Sequence, residues 1–124
     1  MIRTISVITV AFNSGMDIIP TVESVLAQDL TGIGLEYWVI DGASTDGTVD
    51  LARSYCRRMQ ERGIQYQVIS EPDSGIYDAM NKGIRLAGGE LIGFLNSGDW
   101  YEPGALQKVM ETFARKQCGM MFGS

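Results

Sequence analysis

The sequence predicts an α/β protein built on a mainly parallel sheet with flanking helices. Short apolar runs alternate with longer stretches of helical periodicity. Each strand–helix unit takes roughly thirty residues, the length of a βαβ crossover. Every apolar run breaks on a cluster of Asn, Asp, Gly or Ser, the residues of turns. Such units form parallel sheets, and parallel sheets bind ligands outside the carboxyl ends of their strands.

Residues 5–10 read as the first strand, ending in Ala11-Phe12-Asn13-Ser14-Gly15. The first helix carries Ile18, Ile19, Val22, Val25 and Leu26 on one face, with Asp17 as its cap and Pro20 tolerated in its first turn. Residues 35–40 form the second strand, running into Asp41-Gly42-Ala43-Ser44-Thr45-Asp46-Gly47. The second helix directs Val49, Ala52, Cys56 and Met59 inward and stops at Gly63. Asp46 suits the cap of that helix better than a ligand.

Residues 66–70 are the third strand, followed by Glu71-Pro72-Asp73-Ser74-Gly75. The third helix buries Ile76, Ala79, Met80, Gly83 and Ile84, and Gly88-Gly89 offers a left-handed residue at its end. The fourth strand starts at Leu91 and breaks on Asn96-Ser97-Gly98, delivering Asp99. A last helix opens at Pro103, buries Leu106, Val109, Met110 and Phe113, and stops near Gly119, where a fifth strand begins. Residues 1–124 thus form a single domain, with no repeat or linker.

Composition narrows the chemistry. A chain of 124 residues supports one modest core, and 45% apolar with 20% charged residues is ordinary for a globular protein. No apolar run approaches the ~20 residues of a membrane span. Cys56 and Cys118 show no metal-binding spacing and read as buried small hydrophobes, so a reduced, cytoplasmic setting is expected. A net charge of −5 argues against a nucleic-acid partner. With no histidine, Ser-His and Cys-His systems and most zinc sites are excluded. No Gly-x-Gly-x-x-Gly follows the first strand and there is no Walker-type loop, which argues against a dehydrogenase or a P-loop ATPase.

The strand tails meet on one rim: Phe12-Asn13, Asp41, Glu71 to Asp73, and Asn96 to Asp99. One aromatic and several acids suit a base, a sugar and a metal. Asp99, at the tip of a buried strand, suits a hard cation; it equally suits a cap for the helix that Pro103 opens. A bound phosphate ester raises a sign problem. A carboxylate at ~4 Å from a phosphate oxygen is opposed by about 1 kcal/mol in water and about 4 near a protein surface. A divalent cation between them reverses that.

Four motifs at matching spacing carry a resemblance: Ile8-Thr9-Val10-Ala11-Phe12-Asn13; Val39-Ile40-Asp41-Gly42-Ala43-Ser44-Thr45-Asp46-Gly47-Thr48; Ser70-Glu71-Pro72-Asp73-Ser74-Gly75-Ile76-Tyr77-Asp78-Ala79-Met80-Asn81-Lys82-Gly83; and Phe94-Leu95-Asn96-Ser97-Gly98-Asp99. Together they resemble the family 2 glycosyltransferases of GT-A fold across essentially the whole chain. The third and fourth look most like enzymes of bacterial colanic-acid and capsular exopolysaccharide synthesis.

The resemblance implies a nucleotide-binding half with Thr9, Phe12, Asn13, Asp41, Asp73, Asn96 and Ser97 at the nucleotide. Asp41 would accept from the base, and Phe12 would pack on it, although Phe12 also reads as core. Asp78, Asn81 and Lys82 are the sugar-diphosphate candidates, or else a solvated helix face. Asp99 matches the last acid of the family's Asp-x-Asp metal motif, with Mg or Mn implied. Ser97 and Gly98 stand where acids are usual, so water and the diphosphate would complete the site.

The implied reaction is inverting transfer of a sugar from a nucleotide diphosphate sugar to an acceptor hydroxyl, in cell-surface polysaccharide synthesis. The acceptor is expected to be a lipid-linked or other glycan, at the inner membrane face. Family members continue for on the order of a hundred residues more, so the catalytic base is expected beyond Ser124. Self-association into a homodimer is expected of the uncovered apolar surface. A non-catalytic nucleotide-sugar-binding fragment is the alternative. A signalling receiver domain is a further one, but it needs paired acids after the first strand, where Phe12-Asn13 stand.

Overall fold

The computed structural model describes residues 3–116 and 121–123, with side chains for 3–113. Five strands, β1 (Thr4–Ala11), β2 (Gly34–Asp41), β3 (Gln65–Ser70), β4 (Leu91–Phe94) and β5 (Met121–Gly123), form one sheet in the order β3-β2-β1-β4-β5. Every neighbouring pair is parallel, with Ile8 beside both Trp38 and Phe94. The helices are α1 (Ile18–Leu26), α2 (Thr48–Arg53), α3 (Cys56–Glu61), α4 (Ile76–Leu86) and α5 (Ala105–Lys116). The expected α/β architecture is present.

β1 is the central strand and is buried on both faces, mostly by apolar side chains with Ser6 and Thr9 among them. On one face Ile5, Val7, Tyr37 and Val39 pack with Ile18, Val22 and Val25 of α1, Ala52 of α2, Met59 of α3 and Leu106 of α5. On the other, Ile8 and Ile40 pack with Ala79 of α4. Gly83 lets α4 close on β1: a methyl group there would lie 2.6 Å from Ile8 Cγ2.

Five local expectations change. The single helix expected after β2 is two, α2 and α3, broken at residues 54–55. Ser54 Oγ donates to Leu51 O at 2.6 Å, a local bond that competes with helix continuation. The break turns Cys56 out to an exposed position, correcting its expected burial, while Tyr55 and Met59 face in. Cys118 and the stop near Gly119 lie outside the described residues. Asp17 makes no side-chain capping bond, because the chain enters α1 through a 3-10 turn, Gly15–Asp17. Ile76 is 47% exposed rather than buried. Finally, α4 runs out into an extended Ala87 with no left-handed glycine. Gly89 serves close approach instead, since a methyl group there would meet Ser6 N at 2.7 Å.

The chain moves outward from β1 through β2 to β3, then returns to the other side of β1 as β4. The order of strands therefore reverses between β1 and β4, and the loops on either side diverge there.

Candidate functional site

A cleft of ≈ 490 Å³ opens at that reversal. Val10, Ala11, Phe12 and Ser14 line it from the end of β1, Gly42 from β2, Asp73, Gly75 and Ile76 from the β3–α4 loop, and Asn96 and Ser97 from β4. Phe12 is 64% exposed, so it is a wall of the cleft and not core. Gly42 sits between Phe12 and Asp73. A methyl group there would lie 2.9 Å from Asp73 Oδ2 and 3.2 Å from Phe12 Cδ1. Only glycine allows the ring and the carboxylate to flank this backbone so closely.

Asp41 ends β2, as expected, but its side chain is enclosed. It is 1% exposed, and Gly42, not Asp41, lines the cleft. Asp41 Oδ2 accepts from Ser44 N at 2.8 Å and Ser70 Oγ at 2.9 Å, and Oδ1 accepts from Ser44 Oγ at 2.5 Å. Its carboxylate thus closes the β2 loop and ties it to β3, as buried carboxylates need several donors. Asn13 is exposed in the left-handed region at φ 46°, which Asn tolerates, and clasps the same loop: its N–H donates to Ser44 Oγ and its Oδ1 accepts from Thr45 N. Asp46, one residue before the Gly47 N-cap of α2, accepts from the hydroxyl and N–H of Thr48, and these bonds hold its carboxyl below the usual range.

Thr9 does not reach the cleft. It is fully buried and absent from the cleft lining, and its hydroxyl is hydrogen-bonded to that of Tyr37 at 2.6 Å. Burial pushes the Tyr37 and Tyr101 phenols well up.

Asp73 is the acid that does line the cleft. Its Oδ1 accepts from Gly75 N at 3.1 Å, and Gly75 adopts φ 122°, open to glycine alone. Asp78 Oδ2 accepts from Ser74 N at 2.9 Å. Lys82 Nζ donates to Pro72 O at 2.9 Å and pairs with Glu71 Oε1 at 3.2 Å. Asp78 and Lys82, expected at a sugar diphosphate, are therefore engaged inside the protein. Asn81 is exposed on α4 and lies outside the cleft lining.

Asn96 and Ser97 present Oδ1 and Oγ as buried side-chain oxygens without a protein partner, both on residues of the cleft wall. Tyr101 OH, outside the cleft lining, is likewise unpaired, and a buried oxygen of this kind is satisfied by water, an ion or a ligand. Asp99 is exposed just past the cleft wall. The cap reading gains nothing in the loop itself, whose turn closes through Asp99 N to Asn96 O at 3.0 Å.

Among the described residues, no three of His, Cys, Asp and Glu gather to hold a metal on their own. A magnesium or manganese ion shared between a carboxylate, neutral oxygens, water and phosphate oxygens asks less of the protein; of Asp99, Asn96 and Ser97, the latter two line the cleft and Asp99 lies beyond its lining.

Three residues that sequence reasoning missed lie on α1 and beyond its end. Thr21 Oγ1 donates to Asp99 O at 2.6 Å and accepts from Gly98 N at 2.9 Å. Ser24 Oγ accepts from Tyr101 N, and Gln28 bridges Glu102 O and Leu106 N. Their signal was a polar stripe at i, i+3 and i+7 beside an apolar face, with Thr21 and Gln28 buried.

A family model described as Glycosyl transferase family 2 matches residues 6–124. The chain is 43% identical over 114 residues to an uncharacterized glycosyltransferase of Mycobacterium tuberculosis, covering 91% of this chain and 41% of that protein. It is 35% identical over 118 residues to the putative teichuronic acid biosynthesis glycosyltransferase TuaG of Bacillus subtilis, covering 95% and 45%. The chain thus spans less than half the length of these relatives. Among solved structures, S. aureus TarS in complex with UDP superposes with a TM-score of 0.81 at 25% identity, covering 93% of this chain and 33% of TarS. A mannosyltransferase of Pyrobaculum calidifontis, in complex with GDP-Man and Mn2+, gives 0.77 at 24% identity, covering 89% and 32%.

Proposed function

The chain belongs to glycosyl transferase family 2, and on that premise we propose that its cleft holds the nucleotide of a nucleotide diphosphate sugar. The observation that carries this reading is the pairing of an exposed aromatic, Phe12, with Asp73 across Gly42, beside the unpaired oxygens of Asn96 and Ser97. Phe12 stacks on the base, a large flat contact that orders few rotatable bonds. Asp73 Oδ2 accepts from a ring N–H, the role first expected of Asp41. Asn96, Ser97 and Asp99 face the diphosphate, where a divalent cation supplies Lewis-acid stabilisation of the leaving group. The ligands of TarS and of the mannosyltransferase, UDP and GDP-Man with Mn2+, support this assignment.

The reaction of the whole protein is transfer of the sugar to an acceptor hydroxyl with inversion, with a carboxylate base deprotonating the acceptor. Asp73 is the one acid lining the cleft among the described residues, and it is assigned to the nucleobase. The acceptor base is therefore assigned to the further length that the relatives carry. TuaG, a putative teichuronic acid biosynthesis glycosyltransferase, supports a place in cell-surface polysaccharide synthesis, and we assign the acceptor to a lipid-linked or other glycan at the cytoplasmic membrane face. Among the described residues no helix is long and apolar enough to cross a membrane.

The test is calorimetric titration of UDP with Mn2+, with EDTA, and with Asp99→Ala. Binding that is strongest with Mn2+ and falls in the other two supports the reading, with metal and nucleotide each tightening the other. Equal binding in all three removes the metal role and returns Asp99 to a turn residue.

A further inference from the structure

The exposed β3–α4 loop is gripped at two points, and the residue between them is Asp73. Lys82 Nζ donates to the carbonyl of Pro72, immediately before it, at 2.9 Å. Asp78 Oδ2 accepts from the N–H of Ser74, immediately after it, at 2.9 Å. Both side chains come from consecutive turns of α4, four residues apart, with their own charges 3.9 Å from each other. The Lys82 side chain is 14% exposed, and its ammonium group also pairs with Glu71. A lysine held by a main-chain carbonyl and two carboxylates has little left to offer a diphosphate.

We propose that Lys82 and Asp78 are positioning residues for Asp73, and that their grip on its two neighbours sets the strength and selectivity of nucleobase recognition. The inference rests on the nucleotide reading of the cleft. Asp73 spends Oδ1 on Gly75 N, which leaves Oδ2 as a single acceptor beside Gly42. One fixed acceptor suits a base with a lone ring N–H, such as uracil N3–H. Cytosine presents a lone pair at that position and is repelled, and guanine has two adjacent donors where one acceptor is offered. A loop free to shift would blunt that selection, because fixed geometry is what keeps the ordering cost of binding low.

The experiment compares uridine, UDP and CDP binding by calorimetry, with thermal melting, for the chain as it stands and for Lys82→Met, Asp78→Ala, Asp73→Asn and Lys82→Met with Asp73→Asn. Lys82→Met keeps the aliphatic stem over the helix and removes the donor. The expected result is a loss of about tenfold for uridine and UDP alike, with the UDP preference over CDP narrowed. Asp78→Ala repeats that pattern from the other end of the loop. In the Asp73→Asn background, Lys82→Met adds no further loss, a coupling that a merely stabilising residue does not produce. Loss for UDP but not uridine overturns the proposal in favour of a diphosphate contact. Equal losses with and without the Asp73 carboxylate overturn it as well, as does unchanged binding in folded Lys82→Met and Asp78→Ala. If the unaltered chain binds no nucleotide, the cleft reading itself falls and takes the inference with it, a result distinct from the other three.

Discussion

Thr21 Oγ1 holds both sides of the peptide that leads into Asp99, donating to Asp99 O at 2.6 Å and accepting from Gly98 N at 2.9 Å. Gly98 takes φ 98°, so the turn needs glycine where the family commonly has an acid. Thr21 thus anchors the loop on both sides of the Gly98–Asp99 peptide through its backbone. Thr21→Val keeps the shape of the side chain and removes both hydrogen bonds. Stability is expected to fall by about 1–3 kcal/mol, and the Mn2+ dependence of UDP binding to weaken, whereas Thr21→Ser keeps both. Equal metal dependence in Thr21→Val and the parent chain would sink the link to Asp99.

Asp41 is expected to act on stability more than on affinity. Asp41→Asn replaces one acceptor oxygen with an N–H2 in a 1% exposed position facing Ser44 and Ser70. A buried mismatch of that kind costs about 1–3 kcal/mol. Thermal melting should register it, with UDP affinity reduced far less than by Asp73→Asn. The opposite order would restore Asp41 as the reader of the base.

Gly42→Ala tests the narrow passage between Phe12 and Asp73. The added methyl group would meet Asp73 Oδ2 at 2.9 Å and the Phe12 ring at 3.2 Å. Phe12 is exposed and can swing away, so folding should survive while UDP binding drops by about tenfold or more. Unchanged UDP affinity in this variant would place the base elsewhere.

Glu36 predicts part of the acid sensitivity. Burial opposes its charged form, but hydrogen bonds from Trp38 Nε1, Gly88 N and Ser6 Oγ outweigh that and hold its carboxyl below the ordinary value of 4.5. A lowered pKa in the folded state means stability that is present above pH 4.5 and lost as pH falls through the folded value. Melting curves of Glu36→Gln should show lower stability at neutral pH and a flatter decline below pH 4.5. Parallel acid declines in the two proteins would remove Glu36 from the account.

Apolar periodicity by itself determined the parallel α/β fold and the loops that face the cleft. That periodicity is local, and a parallel sheet leaves only one rim on which the four strand tails can meet. Phe12 was legible for the same reason: an aromatic just past a central strand is either core or rim. The tertiary structure alone decided which polar side chains are spent within the protein. Asp41 and Asp73 both sit at strand ends, but Ser44 and Ser70 close over one, and the α4 grip presents the other. Thr9 sits on a central strand, and the partner that occupies it, Tyr37, comes from the neighbouring strand. Thr21 meets a backbone 77 to 78 residues away in sequence. A polar group can be satisfied by its own loop, by a distant segment or by a ligand, and those outcomes have the same residue type and spacing. Only packing of segments far apart in the chain separates them.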